Sequence, residues 1–144
     1  MVPAKILVVE DETIVARDIQ QSLTRLGYDV PTTATSGEEA IRKTKEINPD
    51  LILMDIVLKG PMDGVETVRH INRQFDVPVI YLTAYADDST LERAKTTSPA
   101  GYMLKPFHPN ELRPTIELAL HRAEIDRHLK EKLAVVGDDR AVYE

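Results

Sequence analysis

Short apolar runs rich in β-branched residues alternate along the chain with longer stretches whose apolar residues recur at helical spacing. The short runs predict strands over Lys5–Val9, Asp29–Ala34, Leu51–Met54, Val77–Leu82 and Gly101–Leu104. The first, third and fourth are nearly continuous in apolar residues, as in strands of a parallel sheet covered on both faces. The longer stretches predict helices over Glu12–Leu26, Gly37–Ile47, Val65–Gln74, Asp87–Thr97 and from Pro109 onward. In the first of these, Ile14, Val15, Ile19, Leu23 and Leu26 mark one apolar face. Gly27 stands where a helix-ending glycine belongs, and Ser36 with Glu39 reads as a capping box. Asn48, Pro49 and Asp50 form a turn before the third strand. Five such βα units with short connections predict an α/β fold: a doubly wound, five-stranded parallel sheet with helices on both faces.

Composition narrows the function. The chain has 144 residues, enough for one domain and a short extension, and 42% of them are hydrophobic. It lacks cysteine, which removes disulfides, thiolate catalysis and cysteine zinc sites. Apolar runs are too short for a membrane span or a signal-peptide core, so a soluble, cytoplasmic protein is expected. Eighteen basic against 24 acidic side chains give a net charge of −6, which argues against direct nucleic-acid binding.

In doubly wound sheets ligands sit beyond the carboxyl ends of the strands. There the sequence places Glu10 and Asp11 after the first strand and Asp55 after the third. Any one of them alone reads equally well as a solvated loop acid. Together they form a cluster in which two carboxylates about 4 Å apart repel by roughly 4 kcal/mol at an effective dielectric near 20. Such a cluster calls for a proton or a cation, and oxygen donors without histidine or cysteine favour Mg²⁺, with Mn²⁺ a substitute. Thr83 closes the fourth strand and Lys105 follows the fifth, adding a hydroxyl and an ammonium suited to a phosphoryl group on the same rim.

The segments ILVVEDE (6–12), DLILMDI (50–56), MDGVE (62–66), VIYLTAY (79–85) and YMLKPF (102–107) resemble the CheY-like receiver domains of response regulators in two-component signalling. The resemblance spans roughly residues 4–122 and implies the flavodoxin-like strand order 2-1-3-4-5. It implies that Asp55 is the phosphoacceptor and Asp11 the principal metal ligand. Glu10 would act as the second acidic ligand and the Val57 carbonyl as a further one. Thr83 would be the switch hydroxyl, Lys105 the phosphoryl-pairing lysine on a cis bond to Pro106, and Tyr102 the aromatic whose rotamer reports phosphorylation. Tyr102 also reads simply as a half-buried strand tyrosine. By the same resemblance the chain is a signalling switch rather than an enzyme, and its partner is a histidine kinase or phosphotransfer protein.

Two departures from the family pattern carry consequences. The loop between Asp55 and Asp63 is one residue longer than the usual form, through Lys59 and Gly60. The positions that modulate hydrolysis in this family are Val57 and Tyr85, neither suited to holding a water, which predicts a long-lived aspartyl phosphate.

Past a receiver domain over 1–122, residues 123–144 predict a helical extension and tail. Ile125, Leu129, Leu133 and Val136 continue an apolar stripe among charged residues. A homodimer through this extension, or through the face of the fourth helix, fifth strand and fifth helix, is one reading; a linker is the other. Pro114 is expected to kink the last helix or delay its start, and Gly137 to end it. Three competing readings are a Mg²⁺-dependent aspartyl phosphatase, a docking module that is never phosphorylated, and the receiver portion of a sensor kinase or second-messenger enzyme.

Overall fold

The computed structural model describes residues 2–84 and 88–143, with side chains as far as Leu133. Its elements run β1 (Ile6–Val9), α1 (Thr13–Arg25), β2 (Thr33–Ala34), α2 (Gly37–Ile47), β3 (Leu51–Asp55), α3 (Gly64–Gln74), β4 (Val79–Thr83), α4 (Asp88–Lys95), β5 (Gly101–Leu104) and α5 (Pro109–Tyr143). All strand pairs are parallel and the sheet order is β2-β1-β3-β4-β5. Among the described residues no helix is long and apolar enough to cross a membrane.

The apolar strands feed two cores because successive side chains leave a strand on opposite faces. Ile6, Val8, Leu51, Leu53, Ile80 and Leu82 pack with Ile19 and Leu23 of α1 and Leu112 and Ile116 of α5. Leu7, Val9, Ile52, Met54 and Tyr81 pack with Val65, Val68 and Ile71 of α3. This division accounts for the unbroken apolar runs of the three central strands, all fully buried.

Local signals behave as chemistry dictates. Gly27, at φ 97°, donates its N–H to Thr24, and Tyr28 donates to Leu23, the paired bonds of a Schellman stop. Ser36 Oγ accepts from the Glu39 N–H at 3.2 Å, while the Glu39 carboxylate turns to Lys43 at 2.9 Å. Asp63 caps α3 by accepting from the Glu66 N–H at 2.9 Å. The next residue must be glycine, since a Cβ on Gly64 would collide with the Asp55 carbonyl oxygen and lie 2.9 Å from Ile56 Cα. Gly64 thus brings α3 against the end of β3, where Asp55 stands.

Four expectations need correction. The second strand shrinks to Thr33–Ala34, with an isolated bridge at Lys5 and Asp29, because Pro31 interrupts it with no N–H to donate. Ile14 is 78% exposed, so the buried face of α1 is carried by Ala16, Ile19 and Leu23. Pro114 does not delay α5, which starts at Pro109. It forfeits one bond near the helix start while Leu112, Ile116 and Ala119 bury that turn. Gly137 does not end the helix, which runs to Tyr143; a lone glycine costs only about 1 kcal/mol there, and no proline follows. The expected first residue of the fourth helix, Asp87, lies outside the described residues; the helix ends at Lys95, before the left-handed Ser98 (φ 52°) and Pro99.

Candidate phosphorylation site

Strand register assembles the site. Val9 pairs with Met54, Asp55 with Leu82, and Thr83 with Leu104. The residues at or just past these ends are therefore Glu10, Asp11, Asp55, Thr83 and Lys105, from four adjacent strands. Carboxylate oxygens of Glu10, Asp11 and Asp55 lie within 4.8 Å of one another.

Lys105 joins two of the acids. Its Nζ donates to Glu10 Oε2 at 2.9 Å and to Asp55 Oδ2 at 3.1 Å. Asp55 Oδ1 accepts from the Val57 N–H at 3.0 Å, so the loop after β3 fixes the carboxylate plane. Asp11 Oδ2 accepts from the Lys59 N–H at 3.0 Å. The loop after β3 thus turns back onto the metal-ligand candidate, helped by Gly60 at φ 107°.

The electrostatics are those of a site short of positive charge. Burial pushes the Glu10 carboxyl up to about 7, the neighbouring Asp55 adds to the rise, and Lys105 opposes it. Burial pulls Lys105 down, but the hydrogen bond it donates to Glu10 and the charge of Asp55 outweigh it and leave its ammonium above the ordinary range. One ammonium serves two of the three carboxylates. Hard carboxylate oxygens from the ends of β1 and β3, within 4.8 Å of one another and with excess negative charge, fit Mg²⁺.

Thr83 is buried, and among the described residues its Oγ1 is the one buried side-chain polar atom without a hydrogen-bond partner. An unsatisfied buried hydroxyl costs about 1–3 kcal/mol, an outlay that an incoming acceptor would recover. Tyr102 is 39% exposed and stacks on Tyr81, centroids 6.0 Å apart. Val57 presents its side chain to solvent at 61% exposure. Tyr85 lies outside the described residues. The Lys105–Pro106 bond is cis.

The five polar site residues expected from sequence come together, with Tyr102 on the adjoining face. The sequence reading missed the Lys59 N–H, a backbone group that no side-chain pattern advertises. It also missed Arg93, which reaches from α4 to Asp63 Oδ2 at 2.9 Å. Of the three acids Glu10 and Asp55 are buried and Asp11 is half-buried.

Comparison with known proteins agrees with this fold. Residues 6–117 match the family described as the response regulator receiver domain. The transcriptional regulatory protein PdtaR of Mycobacterium tuberculosis is 31% identical over 137 residues, covering 95% of this chain and 66% of PdtaR. The alkaline phosphatase synthesis transcriptional regulatory protein PhoP of Bacillus subtilis is 38% identical over 122 residues, 84% of this chain and 50% of PhoP. The chain therefore spans from half to just under two thirds of these relatives' length. Among solved structures, the signal receiver domain of a modulated diguanylate cyclase from Desulfovibrio desulfuricans G20 superposes with a TM-score of 0.82 at 37% identity, covering 86% of this chain and 98% of that one. A CheY-like receiver domain protein from Methanospirillum hungatei JF-1 gives 0.78 at 26% identity, covering 86% and 98%.

Proposed function

This chain belongs to the response regulator receiver domain family, and from that membership we propose that it is a phosphorylation switch in which Asp55 takes a phosphoryl group from the phosphohistidine of a histidine kinase or phosphotransfer protein. The observation that carries this reading is the Lys105 ammonium bridging Glu10 and Asp55 inside a cluster of three acids.

Glu10, Asp11, Asp55 and the Val57 carbonyl would hold Mg²⁺, or Mn²⁺ in its place, which when bound neutralises charge on the transferring oxygens. Asp55 is the nucleophile. A bond forms between its carboxylate oxygen and phosphorus as the bond from phosphorus to the donor's imidazole nitrogen breaks, and the nitrogen keeps the electron pair. The Val57 N–H and Lys105 orient the Asp55 carboxylate for that attack, so the residues assist by position and charge. The product carries about −2 where a carboxylate carried −1. Thr83 Oγ1 would donate to a phosphoryl oxygen, and Tyr102 would turn inward as Thr83 moves, remodelling the face of α4, β5 and α5. This is a population shift between two packings of one chain.

In this reading residues 1–122 form the receiver, and 123–144 carry the change along α5 to a partner in the cytoplasm, either a second copy or an output domain. Leu104, Leu118, Ile125, Leu129 and Leu133 are exposed on β5 and α5 and support such a contact. An aspartyl phosphatase is disfavoured because Asp55 ends β3 while Glu10 and Asp11 follow β1, so the nucleophile and the acid pair come from different strands.

The test is labelling with acetyl phosphate and Mg²⁺, followed by intact mass. The parent is expected to gain one phosphoryl group and Asp55→Asn none; stoichiometric labelling of Asp55→Asn would overturn the assignment.

A further inference from the structure

Tyr81 is fully buried in the middle of β4, two residues before Thr83 and on the same face of the strand. Across to β5 its register partner is Tyr102, while Thr83 is paired with Leu104. The two tyrosine rings lie 6.0 Å apart between centroids with 27° between their planes, an offset stack. The far end of the Tyr81 ring is pinned, for its hydroxyl and Thr97 Oγ1 share a hydrogen bond of 2.8 Å. Thr97 is itself held, donating its hydroxyl to the Ala94 carbonyl at 2.6 Å and accepting from Asn72 Nδ2 on its own carbonyl at 3.0 Å. Burial pushes the Tyr81 phenol up to about 12, so it stays neutral and able to donate. Tyr81 is therefore a rigid platform, anchored through the turn after α4 and facing the one ring on β5 that is half in solvent.

We propose that Tyr81 is a positioning residue for the switch: its ring holds Tyr102 in the half-exposed pose and so opposes the inward turn toward Thr83. The inference rests on the reading of Thr83 and Tyr102 given above. Tyr102 sits directly across from Tyr81 but diagonally from Thr83, so a ring that swings toward Thr83 has to leave the face it now stacks on. A contact made in one pose and lost in the other biases the population between them, and an offset aromatic stack is worth roughly a 2- to 10-fold bias. By linkage the same factor is withheld from any ligand that favours the inward pose. The stack therefore sets how strongly the phosphoryl group must pull before the face of β5 changes.

The test measures beryllofluoride affinity by calorimetry in the full chain with Mg²⁺ present. Tyr81→Leu is expected to bind beryllofluoride about 2- to 10-fold more tightly than the parent, and Tyr81→Phe, which keeps the ring, within about 2-fold of it. In a Tyr102→Ala background the substitution Tyr81→Leu is expected to have no effect. A general loss of structure predicts the opposite sign, weaker binding, so tightening separates positioning from damage. Unchanged or weaker binding in a folded Tyr81→Leu, or a tightening that persists without Tyr102, overturns the proposal. If Tyr81→Leu does not fold, Tyr81→Met replaces the ring with a flexible chain and is read by the same criteria. Absence of beryllofluoride binding in the parent would overturn the underlying site reading, and this inference with it. Normal parental binding with no Tyr81 effect sinks only the platform.

Discussion

Asp63 serves two neighbours with two oxygens. Oδ1 caps α3 through the Glu66 N–H, and Oδ2 holds Arg93 of α4. Burial pushes its carboxyl up, but the Glu66 N–H and Arg93 outweigh burial and keep it below the ordinary value of 3.8. A carboxyl held low in the folded state adds stability above that value and loses it as pH falls through the folded pKa. Asp63→Ala is expected to cost about 1–2 kcal/mol at neutral pH through the lost cap, measured by urea unfolding. Asp63→Asn keeps an oxygen acceptor but no charge, so its deficit relative to the parent should close as the pH drops below 3.8. A deficit that persists unchanged in acid would mean that the charge contributes nothing. At the same scale Val57 turns an aliphatic side chain to solvent and offers no group to align an attacking water. Phosphorylated protein in Mg²⁺ buffer should therefore keep its label well beyond seconds, and loss within seconds would refute this. The acids, Thr83 and Lys105 were legible in the sequence because each stands at a strand end whose position the apolar pattern predicts. The Lys59 N–H and the face of Tyr81 were not, because a backbone donor and a cross-strand stack are set by tertiary approach.

The elements differ in how they are held. α3 buries Val65, Val68 and Ile71, whereas Ala94 is the buried residue of α4. α4 and the turn after it are fastened chiefly by polar contacts: Arg93 to Asp63, Arg69 Nη2 to Thr96 at 3.2 Å, and Asn72 to the Thr97 carbonyl. An element with little apolar burial opens more readily. Hydrogen exchange in α4 is expected to be at least about 10-fold faster than in α3, and faster again in Arg93→Ala. Equal protection of the two helices would contradict this. Sequence pattern found every element but misjudged ends governed by proline and glycine. Pro31 removed more strand than the apolar run suggests, and Gly137 did not stop a helix that runs on to Tyr143. The order of the strands was not legible from periodicity; it came from the motif resemblance, and pairing of β1 with β3 follows it.

At the scale of the molecule, α5 carries two apolar faces. Leu112, Ile116 and Ala119 enter the core, whereas Leu118, Ile125 and Leu129 are exposed. At 3.6 residues per turn Ile116 and Leu118 point about 200° apart, so the exposed stripe does not simply prolong the buried one. It begins alongside the domain, at Leu118, and runs outward on the other side. The expectation that Ile125, Leu129 and Leu133 continue the buried stripe is therefore corrected, and helical spacing alone would have shown it, since Ile125 lies about 180° around from Ile116.

The most direct test of the whole account is a crystal structure with Mg²⁺ and beryllofluoride. The account predicts beryllofluoride on Asp55, a cation shared by Glu10, Asp11 and Asp55, and Thr83 Oγ1 bonded to a fluorine. A cation lodged away from these acids, or beryllofluoride on any other residue, would contradict it.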